Sequence, residues 1–196
     1  MNRYSRWGIA LILLPMAACA TQPAPAPIAV PAGPPPLAAA DATFIQDAAQ
    51  GGLAEVQAGQ LAQSKAHSPR VKAFGAKMVA DHTPANDQLK QIATAKGATV
   101  PTTPNDMQMQ QMTALQADKG HKFDHDYITD QIADHTMMLQ LYQTEAASGT
   151  DPDLKKFAAD TIPVIQSHID MANGIEKGGM HKGMHKGTHH HHHTAS

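Results

Sequence analysis

Four stretches of this chain, 41–66, 69–97, 121–147 and 151–175, carry small or apolar side chains three and four residues apart, and none alternates with a period of two. On a helix of about 3.6 residues per turn, that spacing makes one buried stripe, so each stretch needs a partner to cover it. Phe44, Ala48, Gly52, Glu55, Gly59, Ala62 and Ala66 form the first stripe; Val71, Gly75, Met78, His82, Ala85, Leu89 and Ala93 form the second. Asp124, Ile128, Gln131, His135, Leu139, Tyr142 and Ala146 form the third; Leu154, Ala158, Ile165, His168, Ala172 and Ile175 form the fourth. Asp41 and Asp151 stand where N-caps belong, Pro69 and Pro152 suit first turns, and Gly97 is a stop signal. Pro84 predicts a kink just past His82.

Short breaks at 67–69 and 148–151 make two hairpins. Residues 98–119, rich in Pro and Thr around an amphipathic piece at 107–117, are long enough for a crossover along a bundle. The expected fold is all-α: a four-helix bundle of two helical hairpins joined by a long connection. With only 4% aromatic residues and scarcely a β-branched run, the composition offers no competing strand reading.

The ends do not belong to that bundle. Residues 1–18 read as a signal peptide with Arg3 and Arg6 followed by an apolar run from Trp7 to Leu14, too short to span a bilayer. Cys19, the lone cysteine, follows small residues and resembles a bacterial lipoprotein lipidation site, although Met16 stands where Leu is usual. Cleavage near Ala18 or Ala20 by an ordinary secretory route is the alternative. The lipoprotein reading makes the membrane a partner through Cys19, in the periplasm on the outer membrane, because Ala20 rather than Asp follows the cysteine. Residues 19–40 form a Pro/Ala-rich spacer, 41–176 the bundle and 177–196 a Met/His-rich tail without apolar content. Setting Arg3 and Arg6 aside, 13 basic residues face 17 acidic ones, a balance that excludes nucleic acid as a partner.

Near its middle each apolar stripe carries an inward ionisable residue: Glu55, His82, His135 and His168. Glu55 lies 11 residues before Ala66 and His82 13 after Pro69, so at ~1.5 Å per residue both stand roughly 16 to 20 Å from their turn. His135 and His168 stand roughly 20 and 26 Å from the second turn, about one helical turn out of step. Three imidazoles and one carboxylate suit copper or zinc, with Asp81, Asp124, Gln131 and Asp134 as candidates to orient the rings. The competing reading is a metal-free polar network that fixes helix register. A di-iron centre is disfavoured because Val79 and Ile165 stand where Glu-x-x-His motifs need carboxylates. No nucleophile elbow, His-Glu-x-x-His motif or phosphate loop is present, so no catalytic residue is assigned.

The tail offers a second set of ligands. Met180, His181, Met184 and His185 occur in two Gly-Met-His-Lys repeats, followed by His189, His190, His191, His192 and His193. Clustered His and Met bind copper, nickel or zinc loosely. A purification tag is the competing origin of the five histidines, but the Thr-Ala-Ser that follows them and the leader still present favour a gene-encoded tail.

Phe44, the Gly-rich turn before Glu55, the Met78–His82 run ending in Asp-His, Phe123-Asp124, His135 and the Pro163–His168 stretch together resemble a bacterial family. Over about residues 41–175 the chain is similar to the ferritin-like family catalogued as domain of unknown function 4142. That resemblance implies a ferritin-like bundle exported to the periplasm or outer membrane, with recurrent Glu and His positions at Glu55, His82, His135 and His168, and no established activity. Two functions are carried forward: transition-metal buffering, storage or stress tolerance, and a metal-free envelope interaction or stress-response module.

Overall fold

Five helices account for the ordered backbone in the computed structural model, which describes residues 36–180. They are α1 (Ala39–Lys65), α2 (Pro69–Ala95), α3 (Asp106–Ala117), α4 (Gly120–Ser148) and α5 (Pro152–Met180). Long, uninterrupted apolar periodicity produces the four long ones, and α2 runs through Pro84 without a break. The short α3 has a full capping box: Asn105 accepts from the Gln108 backbone while the Gln108 side chain accepts from the Asn105 backbone, both at 2.9 Å.

Helices α1 and α2 form one hairpin and α4 and α5 the other; α1 also packs on α4, and α2 on α5. Two apolar layers fill the interior. One gathers Phe44, Ile45, Leu89, Tyr142, Leu154, Phe157 and Ile165. The other gathers Phe74, Met78, Leu115, Phe123, Tyr127, Ile128 and Ala172. Following the chain, α1 and α5 run from the first layer to the second, whereas α2 and α4 run from the second to the first. Neighbouring helices are therefore antiparallel, and the connection carrying α3 must travel the length of the bundle, as a crossover does.

Close approach of the first hairpin depends on glycine. A Cβ on Gly59 would lie 2.6 Å from the Gly75 carbonyl oxygen, and one on Gly75 would lie 2.7 Å from Ala62 Cβ.

The two hairpins also cap each other. Asp41, expected as the N-cap of the first helix, is instead inside α1 and fully buried; the N-cap is Ala38, which supplies no side-chain cap. Its carboxylate accepts from Thr150 N at 2.9 Å, Thr150 Oγ1 at 2.6 Å and Asp151 N at 3.0 Å, fastening the α4–α5 turn. Asp124 of α4 does the same for the α1–α2 turn, accepting from His67 N at 2.9 Å and Ser68 N at 2.8 Å. Asp151 is an N-cap as expected, accepting from Leu154 N at 3.1 Å.

These caps belong to an internal repeat. Asp41 and Asp124, Phe44 and Tyr127, Ile45 and Ile128, Pro69 and Pro152, and Phe74 and Phe157 are pairs at one common spacing along the chain. The hairpins thus share a plan at their ends, where packing and capping are decided, and differ in the middle. His135 pairs with Gly52, and His168 with Ala85. The polar residues break the repeat.

Among the described residues no helix is long and apolar enough to cross a membrane. Cys19 and the leader, most of the spacer and the tail histidines lie outside the described residues, as does the Met180 side chain.

Candidate metal centre

Between the two apolar layers each long helix contributes a polar side chain: Glu55 from α1, His82 from α2, Gln131 and His135 from α4, and His168 from α5, all buried. Each sits where its helix passes from one layer to the other. His135 and His168, expected a turn out of step, meet at this level.

His135 is central. Its Nε2 lies 3.4 Å from His82 Nε2 and 3.2 Å from His168 Nδ1. One nitrogen from each ring lies within 4.8 Å of the other two, and this is the one group of His, Cys, Asp or Glu side chains among the described residues with such a spacing.

Outer partners fix the tautomers. His135 Nδ1 is 3.0 Å from the Gln131 carbonyl oxygen, which can only accept, so Nδ1 carries the proton and Nε2 the lone pair. His168 Nε2 is 2.7 Å from Asp81 Oδ2 and donates to it, leaving the lone pair on Nδ1. Burial acts to raise the Asp81 carboxyl, but the bonds from Lys77 and His168 outweigh it and hold it below its ordinary value. Lys77 Nζ anchors the same oxygen at 2.8 Å.

Two lone pairs therefore face each other 3.2 Å apart between His135 and His168. Such a pair repels unless a cation lies between. Burial is the main reason that a proton does not supply it: it pushes His82 down to about 3 and His135 down to about 4, and it lowers His168 as well. At neutral pH the three rings are neutral, and the lone pairs of His135 and His168 converge beside His82 Nε2.

The donor set fits a transition-metal ion. A tetrahedral ion with metal–nitrogen bonds of about 2.0 to 2.1 Å holds its imidazole nitrogens roughly 3.3 to 3.4 Å apart. The two separations that involve His135, 3.4 and 3.2 Å, match that spacing, and the third pair lies within 4.8 Å.

Three of the expected residues take other places. Glu55 does not join the ring nitrogens that converge: its Oε1 is 3.5 Å from His135 Nδ1, on the far side of the ring, and its Oε2 accepts from Gln131 Nε2 at 2.7 Å. Its hydrogen bond goes to the Gln131 amide behind the ring, and burial, partly countered by Gln131, pushes its carboxyl up to about 7. Asp124 is at the α1–α2 turn. Asp134 accepts from Gln111 of α3 at 3.0 Å and touches no imidazole. Asp81 meets the His168 ring through its carboxylate, and Gln131 meets the His135 ring through its backbone carbonyl. The structural roles of Asp41 and of Glu145, a buried carboxylate near it, were missed; the common spacing of Asp41 and Asp124 was the available signal for the first.

Solved structures share this architecture. The crystal structure of a DUF305 fragment from Deinococcus radiodurans is similar with a TM-score of 0.65 and 10% identity, covering 74% of this chain and 99% of that one. CopM in its Cu(II)-bound form is similar with a TM-score of 0.62 and 17% identity, covering 71% of this chain and 97% of that one. At those identities the likeness concerns the fold. No curated protein matches significantly. The sequence family described as Domain of unknown function (DUF4142) matches residues 26–175.

Proposed function

The chain belongs to the DUF4142 family, and we propose that it binds a transition-metal ion, copper or zinc, at His82, His135 and His168, for buffering, storage or stress tolerance outside the cytoplasm. The observation that carries this reading is the pair of lone-pair nitrogens, His135 Nε2 and His168 Nδ1, held 3.2 Å apart by hydrogen bonds on their outer sides. A neutral network meant only to satisfy itself would point a donor at an acceptor there. CopM, named in its Cu(II)-bound form and sharing this fold, supports copper as the first metal to try. Three ligands leave a position open for exchange, as a buffer requires.

The Gln131 carbonyl acts behind His135, and Asp81 behind His168, holding ring orientation and keeping the protons on the outer nitrogens; Glu55 bonds the Gln131 side chain. The metal-free module keeps one supporting observation: Glu55, Gln131 and His135 are joined by hydrogen bonds, as are His168 and Asp81.

Titration of the apo-protein with Co(II), as an optical stand-in, distinguishes the two. The expected result is one tight equivalent with tetrahedral absorption bands, followed by weaker equivalents without them. His168→Ala abolishes the tight phase, and deletion of residues 177–196 abolishes only the weak one. A tight phase that survives His168→Ala sinks the proposal.

The leader and spacer support a lipid anchor at Cys19 and an outer-membrane position facing the periplasm. Cys19→Ser tests this: the protein is expected to leave the membrane fraction, and its retention there rules the anchor out.

A further inference from the structure

On the opposite side of His135 from the triad, α1 and α4 leave a half-open cavity of about 270 Å³. Asp47, Glu55, Gln108, Asp134, Met137 and Met138 are among its lining residues, and no Lys or Arg is. Glu55 connects it to the metal centre, because Oε1 faces His135 Nδ1 at 3.5 Å.

The charges here are uncompensated. Glu55 is 3% exposed, and its Oε2 is satisfied by Gln131. Oε1 accepts no hydrogen bond of its own, since the nearest donor, His135 Nδ1, gives its proton to the Gln131 carbonyl at 3.0 Å. Asp134 has only the Gln111 amide at 3.0 Å. Buried carboxylates normally have a cationic partner or a metal, and here the side chains supply neither. The space beside them is large enough for a hydrated ion.

We propose that this cavity is a second cation site, which takes a hard divalent ion of the first transition row through the carboxylates of Glu55 and Asp134. Asp47, exposed at the cavity edge, adds attraction for an entering cation, and the Met138 thioether lies alongside. The two sites differ in donor type: carboxylate oxygen suits Mn(II), whereas three imidazoles suit copper and zinc. The proposal stands whether or not the triad binds metal.

The test is a Mn(II) titration of the full chain labelled at its methionine methyls, with Met137 and Met138 assigned by Leu substitution. Mn(II) is expected to broaden both methyl signals saturably. Asp134→Asn keeps an acceptor for Gln111 but removes the charge, and is expected to raise the Mn(II) concentration at half-broadening by about tenfold or more. If neither signal broadens saturably, or Asp134→Asn titrates like the wild type, the site does not exist. The cobalt bands of the triad report separately, so failure of one site is not mistaken for failure of the other.

Discussion

His135→Ala is expected to weaken metal binding by the bundle ~1,000-fold or more, equivalent to about 4 kcal/mol. His135 Nε2 is the one nitrogen adjacent to both others, at 3.4 Å from His82 and 3.2 Å from His168. Its removal leaves two imidazoles on α2 and α5 with a gap between them. Glu55→Gln, which alters the partner of Gln131 behind His135 and leaves the three imidazoles in place, is expected to cost the triad about tenfold. The pH dependence gives an internal control. Because burial pushes His82 down to about 3 and His135 down to about 4, protons do not compete for these nitrogens between pH 7.5 and 5.5. A solvated imidazole titrates near 6.5 and releases its metal across the same range. Competition against a chromophoric chelator should therefore show the tight phase unchanged on acidification and the weak tail phase lost. The same lowered values carry a stability sign: the unfolded chain takes up protons below about 6.5 that the folded triad refuses, so the apo-protein loses stability as pH falls through that window. Equal acid loss of both phases would show that the tight metal is not at the buried rings.

The sequence revealed faces and depths well, because both follow from 3.6 residues per turn and a fixed rise. That was enough to put Glu55 and His82 level and all four polar residues near mid-helix, although it left His135 and His168 about a turn apart. It could not show which side of a ring each neighbour occupies, and Glu55 therefore looked like a fourth ligand when it lies behind His135. Two orienting assignments failed for simple reasons. Asp124 shares a stripe with His135 but precedes it by 11 residues, roughly 16 Å along the helix axis. Asp134 is adjacent in sequence, but one residue along a helix turns the side chain by about 100°, toward α3 and Gln111. The end of α1 was misread because Asp is a good N-cap wherever a helix starts, and only the tertiary fold shows Asp41 serving a turn at the far end of the chain.

Asp41→Ala is expected to destabilise the bundle by roughly 3 kcal/mol and to lower its melting temperature by about 10 °C. The fully buried carboxylate takes three donors from Thr150 and Asp151, and an alanine leaves them without a partner at the tip of the second hairpin. Burial acts to raise the Asp41 carboxyl, but these donors together outweigh it and hold it below its ordinary value. Glu145 sets the pH dependence of the loss. Burial first, and then the Asp41 charge, push its carboxyl up to about 7. A carboxyl raised in the fold binds protons that the unfolded chain has released, so Glu145 stabilises the wild type near pH 4.5, and that contribution disappears as pH rises through about 7. Removing Asp41 relieves the repulsion with ionised Glu145, so the substitution costs less at pH 8 than at pH 5. Urea unfolding of both proteins at the two pH values measures this directly. A loss below about 1 kcal/mol at pH 5, where Glu145 repulsion is absent, would mean that the α4–α5 turn is held by its own Asp151 cap and by packing. The repeated aspartate would then be a relic of the duplicated hairpin, not a fastening between the two halves.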